Sequence, residues 1–239
     1  AVEEQVVLEA EKQISGWFNA SAHAAIVVGA AGWHPGVIGI AASRVQKRYH
    51  RPTFVIGFDD AGVGKGSGRS VEGLSLVAAL DRCGMHLEKF GGHAMAAGLT
   101  MREDRFTAFR EAFLCAAREM LTDEWLLPRL RLDGELAPGD VTLRLLDELD
   151  ALHPFGIGNH APVFFAQDVT LGGEPRVMKE KHYSLSLRHG RSETRAVWFG
   201  GAMQELPRLP WDVAFTVERN EYQGIVRPQV QIKAVRSAS

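Results

Sequence analysis

Between residues 64 and 70 the chain reads Gly64-Lys-Gly-Ser-Gly-Arg-Ser70, a set of residue types suited to an anion. Alternating glycines remove side chains, so that backbone N–H groups can approach a ligand closely. Ser67 and Ser70 add hydroxyl donors, and Arg69 adds a planar cationic fork that matches phosphate oxygens. This is not a Walker A loop, because Gly66 is followed by Ser67 rather than by Lys. A glycine-rich hairpin turn with an incidental arginine is the competing explanation. Gly91-Gly-His93 is the second candidate. Its glycines let the main chain pass tightly and aim an imidazole that could act as ligand-binding donor, general acid or metal ligand, or only as a turn histidine. The third is Trp33-His-Pro-Gly-Val-Ile-Gly-Ile40. A helix starting at Pro35 offers free N–H groups and partial positive charge just after His34. Gly36, Gly39, Ala41 and Ala42 equally suit close helix–sheet packing with no ligand at all.

The elements that must position these groups follow from periodicity. Residues 3–18 read as a helix, with Val6, Val7, Ala10 and Ile14 near helical spacing. The run from Ala24 to Gly29 and that from Thr53 to Phe58 read as buried strands, with a helix from Pro35 to Tyr49 between them. Strand, helix, strand in that order predicts a parallel crossover and an α/β domain. Leu74 to Cys83 and Asp104 to Leu121 read as helices, and Asp123 to Pro128 as a boundary. Beyond it, Leu130 to Leu136 alternates as a strand, and Asp140 to Leu152 is an amphipathic helix with Asp140 as its N-cap. From Pro162 onward strands are expected at Val163–Leu171, His182–Leu187, Thr194–Phe199, Val213–Val217 and Val230–Val235. Turn-rich separators at regular spacing fit a small antiparallel barrel of the OB type.

Bulk properties narrow the class. No apolar run approaches the ~18 residues of a membrane span. The start, Ala1 to Ala10, is acidic and amphipathic, the reverse of a signal peptide, and the lack of an initiating Met is expected of a piece of a longer chain. Cys83 and Cys115 fall in apolar helical patterns, as two buried thiols of a reducing cytoplasm would. The net charge of −2 argues against a strongly basic nucleic-acid binder. Yet residues 160–239 hold 11 Lys/Arg against 8 Asp/Glu, whereas residues 1–159 hold 16 against 21. A mildly basic module on a mildly acidic body fits local contact with phosphate.

Taken together, Trp33-His-Pro-Gly-Val-Ile-Gly-Ile40, Gly66-Ser-Gly-Arg-Ser70 and Phe90-Gly-Gly-His-Ala-Met-Ala-Ala-Gly98 resemble, in order and spacing, the DHHA1 domain of the RecJ exonucleases. Pro154-Phe-Gly-Ile-Gly-Asn159, followed by Pro162-Val-Phe164, resembles the entry to the RecJ OB domain; His160 departs from the pattern, which usually has Pro there. The resemblance covers nearly all of the chain from about Ala24 onward.

The resemblance implies an α/β DHHA1 domain, a mixed sheet with flanking helices, at residues 19–127. A mostly β, OB-like barrel with a leading helix is implied at 128–239, and the end of a connector helix from an absent DHH domain at 1–18. It implies 5′-to-3′ degradation of single-stranded DNA with Mn2+ or Mg2+, in DNA repair and recombination. The metal ligands of the family lie in the DHH domain. This chain contains no Asp-His-His, and Asp59-Asp60 is a poor substitute for it, so the chain alone is expected to hold no metal and to be inactive. By the same resemblance Gly66, Ser67, Gly68, Arg69, Ser70, Gly91, Gly92 and His34 would hold substrate phosphate. His93 would be the catalytic residue that binds or polarises the scissile phosphate.

In the OB-like part, basic residues with aromatic platforms would hold the strand, with Arg176, Lys179, Lys181, Tyr183, Trp198 and Tyr222 as candidates; Trp198 above all also suits a core position. Expected partners are single-stranded DNA, a single-stranded-DNA-binding protein and a helicase, in the cytoplasm and with no membrane. Two other functions compete. One is a DHH-type phosphodiesterase acting on cyclic dinucleotides or short oligonucleotides, relatives that normally lack both the Trp-His-Pro-Gly stretch and the OB domain. The other is a non-catalytic nucleic-acid-binding module.

Overall fold

The computed structural model describes residues 2–156 and 158–238. Ile157 of the Pro154–Asn159 motif, Ala1 and Ser239 lie outside the described residues. The chain divides into two compact units, Ala1–Arg129 and Leu130–Ser239.

The first unit runs α1 (Val2–Ser15), β1 (Ile26–Ala31), α2 (Pro35–Tyr49), β2 (Thr53–Phe58), β3 (Val63–Arg69), α3 (Leu76–Arg82), β4 (Lys89–Gly92), β5 (Ala96–Arg102) and α4 (Phe106–Met120). Its sheet has the order β1-β2-β3-β5-β4. β1 and β2 are parallel, as a crossover through α2 requires, and the remaining pairs are antiparallel. Alternation along the strands divides the core in two. Val27, Phe54, Ile56, Leu99 and Met101 point to α3 and α4, where Phe54 meets the edges of Phe109 and Phe113 at ring-centre distances of 5.9 and 5.1 Å. Ile26, Val28 and Val55 point the other way, to Val6, Ala10 and Ile14 of α1 and Ala41, Ala42 and Val45 of α2.

The second unit runs β6 (Gly134–Glu135), α5 (Leu143–Asp150), β7 (Phe164–Leu171), β8 (Arg176–Met178), β9 (His182–His189), β10 (Ser192–Trp198), β11 (Trp211–Tyr222) and β12 (Ile225–Ser237). The order is β6-β7-β11-β12-β10-β9-β8, and a β7–β9 pairing of only Thr170 with Arg188 and Leu171 with Leu187 closes the ring. The result is OB-like rather than a complete barrel. Trp198, Trp211, Phe215, Leu187, Val230 and Ile232 fill it.

Several expectations need correction. α1 ends at Ser15, not near residue 18. Asp140 sits in a 3-10 turn, and the cap of α5 is Thr142, whose hydroxyl accepts the Leu145 amide at 3.2 Å. The alternation from Leu130 to Leu136 yields only the two-residue β6, because Leu130 and Leu132 stay about half exposed, with no strand beyond β6 among the described residues. The short β8 has no counterpart among the expected strands, since three residues are too few for a periodic signal. Cys83 is buried, but Cys115 lies on the outer side of α4 and is exposed. No helix among the described residues is long and apolar enough to cross a membrane.

Candidate nucleic-acid interface

In β3 the side chains alternate across the sheet. Gly64, Gly66 and Gly68 face the aromatic core. A Cβ at Gly68 would lie 2.4 Å from the Phe54 ring, one at Gly66 2.8 Å from Leu99, and one at Gly64 2.4 Å from Phe58. β3 is also paired on both edges, so its amides serve the ladder. The glycines therefore make room for core side chains instead of opening the backbone to a ligand, which corrects the reason expected for their spacing. Lys65, Ser67 and Arg69 are left on the opposite face.

That face is covered by α1 over β1 and by α2 over β2 and β3, and it opens beyond β3. A groove of about 730 Å³ results, bounded by Pro35, Gly36, Gly39 and Ser43 of α2, with β3, β5 and β4 as its floor. Register fixes the floor in rows. Lys65 pairs with Thr100 and Thr100 with Lys89; Ser67 pairs with Gly98 and Gly98 with Gly91; Arg69 pairs with Ala96. The lining has three cations and no carboxylate. Arg69 is half-buried, and its Nη1 donates to Ser67 Oγ at 3.1 Å and to the Gly68 carbonyl at 2.7 Å. A Cβ on Gly39 would press on Ser67 Oγ at 3.3 Å and Arg69 Nη2 at 3.4 Å, so that glycine leaves the guanidinium its place between helix and sheet.

Ser70 is buried and its hydroxyl donates to the Leu74 carbonyl at 2.7 Å, a structural use; Gly68 faces the core. Gly92 has φ +145° and forms the turn into His93. The His93 amide donates to the Ala96 carbonyl, and Ala96 is the ladder partner of Arg69, so the exposed His93 sits at Arg69's end of the sheet, outside the groove lining. His34 caps α2: its Nδ1 accepts the Gly36 amide at 3.0 Å and its carbonyl accepts the Val37 amide. Those N–H groups, expected to be free, are already bonded. Trp33 anchors the same turn. Its indole donates to Glu9 Oε2 at 2.7 Å, and that bond is the first cause, before Gln5, holding the Glu9 carboxyl below its ordinary value. Asp59 closes the β2–β3 turn by accepting the Ala61 and Val63 amides.

Sequence reasoning missed Lys65, Lys89 and Thr100, because only the β5 register brings residues 24 and 35 positions from Lys65 alongside it. It also missed Arg51, which is 7% exposed and donates to the carbonyls of Ala20, His23, His50 and Leu126. That arginine ties loops together and is spent on structure. Among the described residues no group of three or more His, Cys, Asp and Glu could hold a metal, and the groove offers cations to anions; this donor set does not fit a divalent ion.

In the second unit Arg176, Lys179 and Lys181 are exposed on β8 and the turn after it. Tyr183 is half-buried against the core, and Trp198, at 4% exposure, belongs to the core, which corrects its candidacy as a stacking platform. Tyr222 is 70% exposed at the tip of the β11–β12 hairpin, beside a groove of about 670 Å³ that also holds Arg195 and Arg227.

Comparison with known proteins agrees with this layout. The DHHA1 domain model matches residues 20–119 and the RecJ OB domain model residues 132–234. The single-stranded-DNA-specific exonuclease RecJ of Dickeya dadantii is 45% identical over 209 residues, covering 80% of this chain and 34% of that protein. This chain belongs to the RecJ family. RecJ of Bacillus subtilis is 34% identical over 214 residues, covering 87% of this chain and 27% of its own length. RecJ of Thermus thermophilus, solved in complex with Mg2+, superposes with a TM-score of 0.78 at 26% identity, over 99% of this chain and 36% of that one. The chain thus spans about a third of the length of the RecJ proteins it matches.

Proposed function

We propose that this chain holds single-stranded DNA by its phosphates for a RecJ-type 5′-to-3′ exonuclease. The carboxylate-free groove over β3, β5 and β4 carries the reading. In it Arg69 contributes its planar fork, with Nη2 unbonded among the described residues, and Ser67 contributes a hydroxyl already oriented by Arg69. Fixed donors of this kind stabilise negative charge that grows on a phosphate under attack. His93, at the same end of the sheet, is assigned to bind or polarise the scissile phosphate.

The domain assignment follows the same reading: the end of a connector helix at 1–18, DHHA1 at 19–127 and an OB-like domain at 128–239. In the OB-like domain Arg176, Lys179, Lys181, Tyr222 and the half-buried Tyr183 are the strand-holding candidates. The Thermus thermophilus RecJ structures contain Mg2+ or Mn2+. We assign that metal to a DHH domain, since the donors present here do not fit it. The site of action is the cytoplasm, with a single-stranded-DNA-binding protein and a helicase as partners of the whole enzyme.

Titration of a labelled single-stranded oligonucleotide at two salt concentrations tests the reading. Binding that weakens steeply with salt is expected, since phosphate contacts release counterions. No binding at low salt would remove the assignment.

A further inference from the structure

Lys65, Thr100 and Lys89 form an in-register row across β3, β5 and β4, on the groove face. Both lysines are exposed, and neither has a carboxylate or hydrogen-bond partner among the described residues. The next row is Ser67, Gly98 and Gly91. At ~3.4 Å per residue the two rows lie roughly 7 Å apart along the strands. Their floor is open: a Cβ on Gly91 would meet nothing within 4 Å, and one on Gly98 only the Gly66 carbonyl at 3.6 Å. Protein packing gives no reason for glycine at either position. Unpaired ammonium groups on both sides of a hydroxyl, beyond a floor stripped of side chains, suit a second anion lying on the same strand as the first.

We propose that Lys65, Thr100 and Lys89 form a second phosphate subsite, which takes the neighbouring phosphate of a strand whose first phosphate lies at Ser67 and Arg69. The groove then measures a run of consecutive phosphates, and its ligand class is an oligonucleotide rather than a mononucleotide. Lysine suits this place because the anion varies in position along a flexible backbone, and an ammonium on a four-carbon stem follows it as a point charge. The proposal rests on the reading of Ser67 and Arg69 as phosphate-holding.

The test is an NMR titration of the chain with 5′-phosphorylated thymidine, which has one phosphate, and with the 5′-phosphorylated thymidine dinucleotide, which has two. The wild type is expected to prefer the dinucleotide by on the order of tenfold. The double variant Lys65→Ala/Lys89→Ala is expected to bring that preference close to one. On a longer single strand it should flatten the slope of log affinity against log salt by ~0.7 for each phosphate the groove no longer neutralises. Gly98→Val, which adds a β-favouring side chain where the fold has space, should also reduce the preference. A double variant that keeps the full preference and the full salt slope overturns the second subsite. If Arg69→Ala leaves the binding of both ligands intact, or if the wild type binds neither, the underlying reading of the groove fails, and the subsite with it.

Discussion

Gly64, Gly66 and Gly68 on one face of the first sheet, and Gly91 and Gly98 on the other, are the same residue in opposite surroundings. On the first face every added Cβ would enter Phe58, Leu99 or Phe54 at 2.8 Å or less. There the glycines are demanded by the protein's own packing, since a close-packed interior has no space for even one methyl group. On the second face an added Cβ meets almost nothing, and cationic side chains stand around the open floor. A glycine crowded by neighbours reports on the core. A glycine facing open space beside Lys65, Lys89 and Arg69 is not demanded by packing, and on the function proposed above it leaves room for a ligand.

The largest effect expected of breaking this contrast is on the core face. Gly68→Val should cost about 3 kcal/mol, through collision with Phe54, and be seen in urea unfolding. Arg69→Ala should lower single-stranded-DNA affinity on the order of tenfold while leaving the melting temperature nearly unmoved, because the arginine's hydrogen bonds to Ser67 and Gly68 are half-exposed. An unchanged affinity with unchanged stability would count against its role. Gly91→Val sharpens the comparison most directly. Its stability should stay within about 0.5 kcal/mol of wild type, while DNA affinity falls on the order of threefold.

The smallest effect concerns how closed the core face is. Burial first, and Cys115 second, push the Cys83 thiol up to about 11. A folded thiol with a raised pKa keeps its proton more tightly than an unfolded one. Its contribution to stability is complete below the ordinary value of 9.0 and is lost as pH rises through about 11. Alkylation of the native protein at pH 8 should therefore mark the exposed Cys115 and spare Cys83, as read by peptide mass; equal labelling would show the core face to be open.

Sequence alone determined the α/β start of the first unit, because α2 and β2 are bounded by strong local signals: Pro35 at a helix start, and an apolar run from Thr53 to Phe58. It also put Lys65, Ser67 and Arg69 on one side of any strand that contains them, since strand side chains alternate. It could not say which side faced the core, for that depends on Phe54 and Leu99 arriving from neighbouring strands. Nor could it tell the buried Trp198 from the exposed Tyr222: both are aromatics in strands, and only barrel closure separates them. Thr142 won the α5 cap over Asp140 because the intervening 3-10 turn shifted the helix start. The Lys65–Thr100–Lys89 row belongs wholly to tertiary structure. Local pattern governs each strand, but register is a long-range choice, made where one face must match an aromatic core and the other is left to meet solvent or ligand.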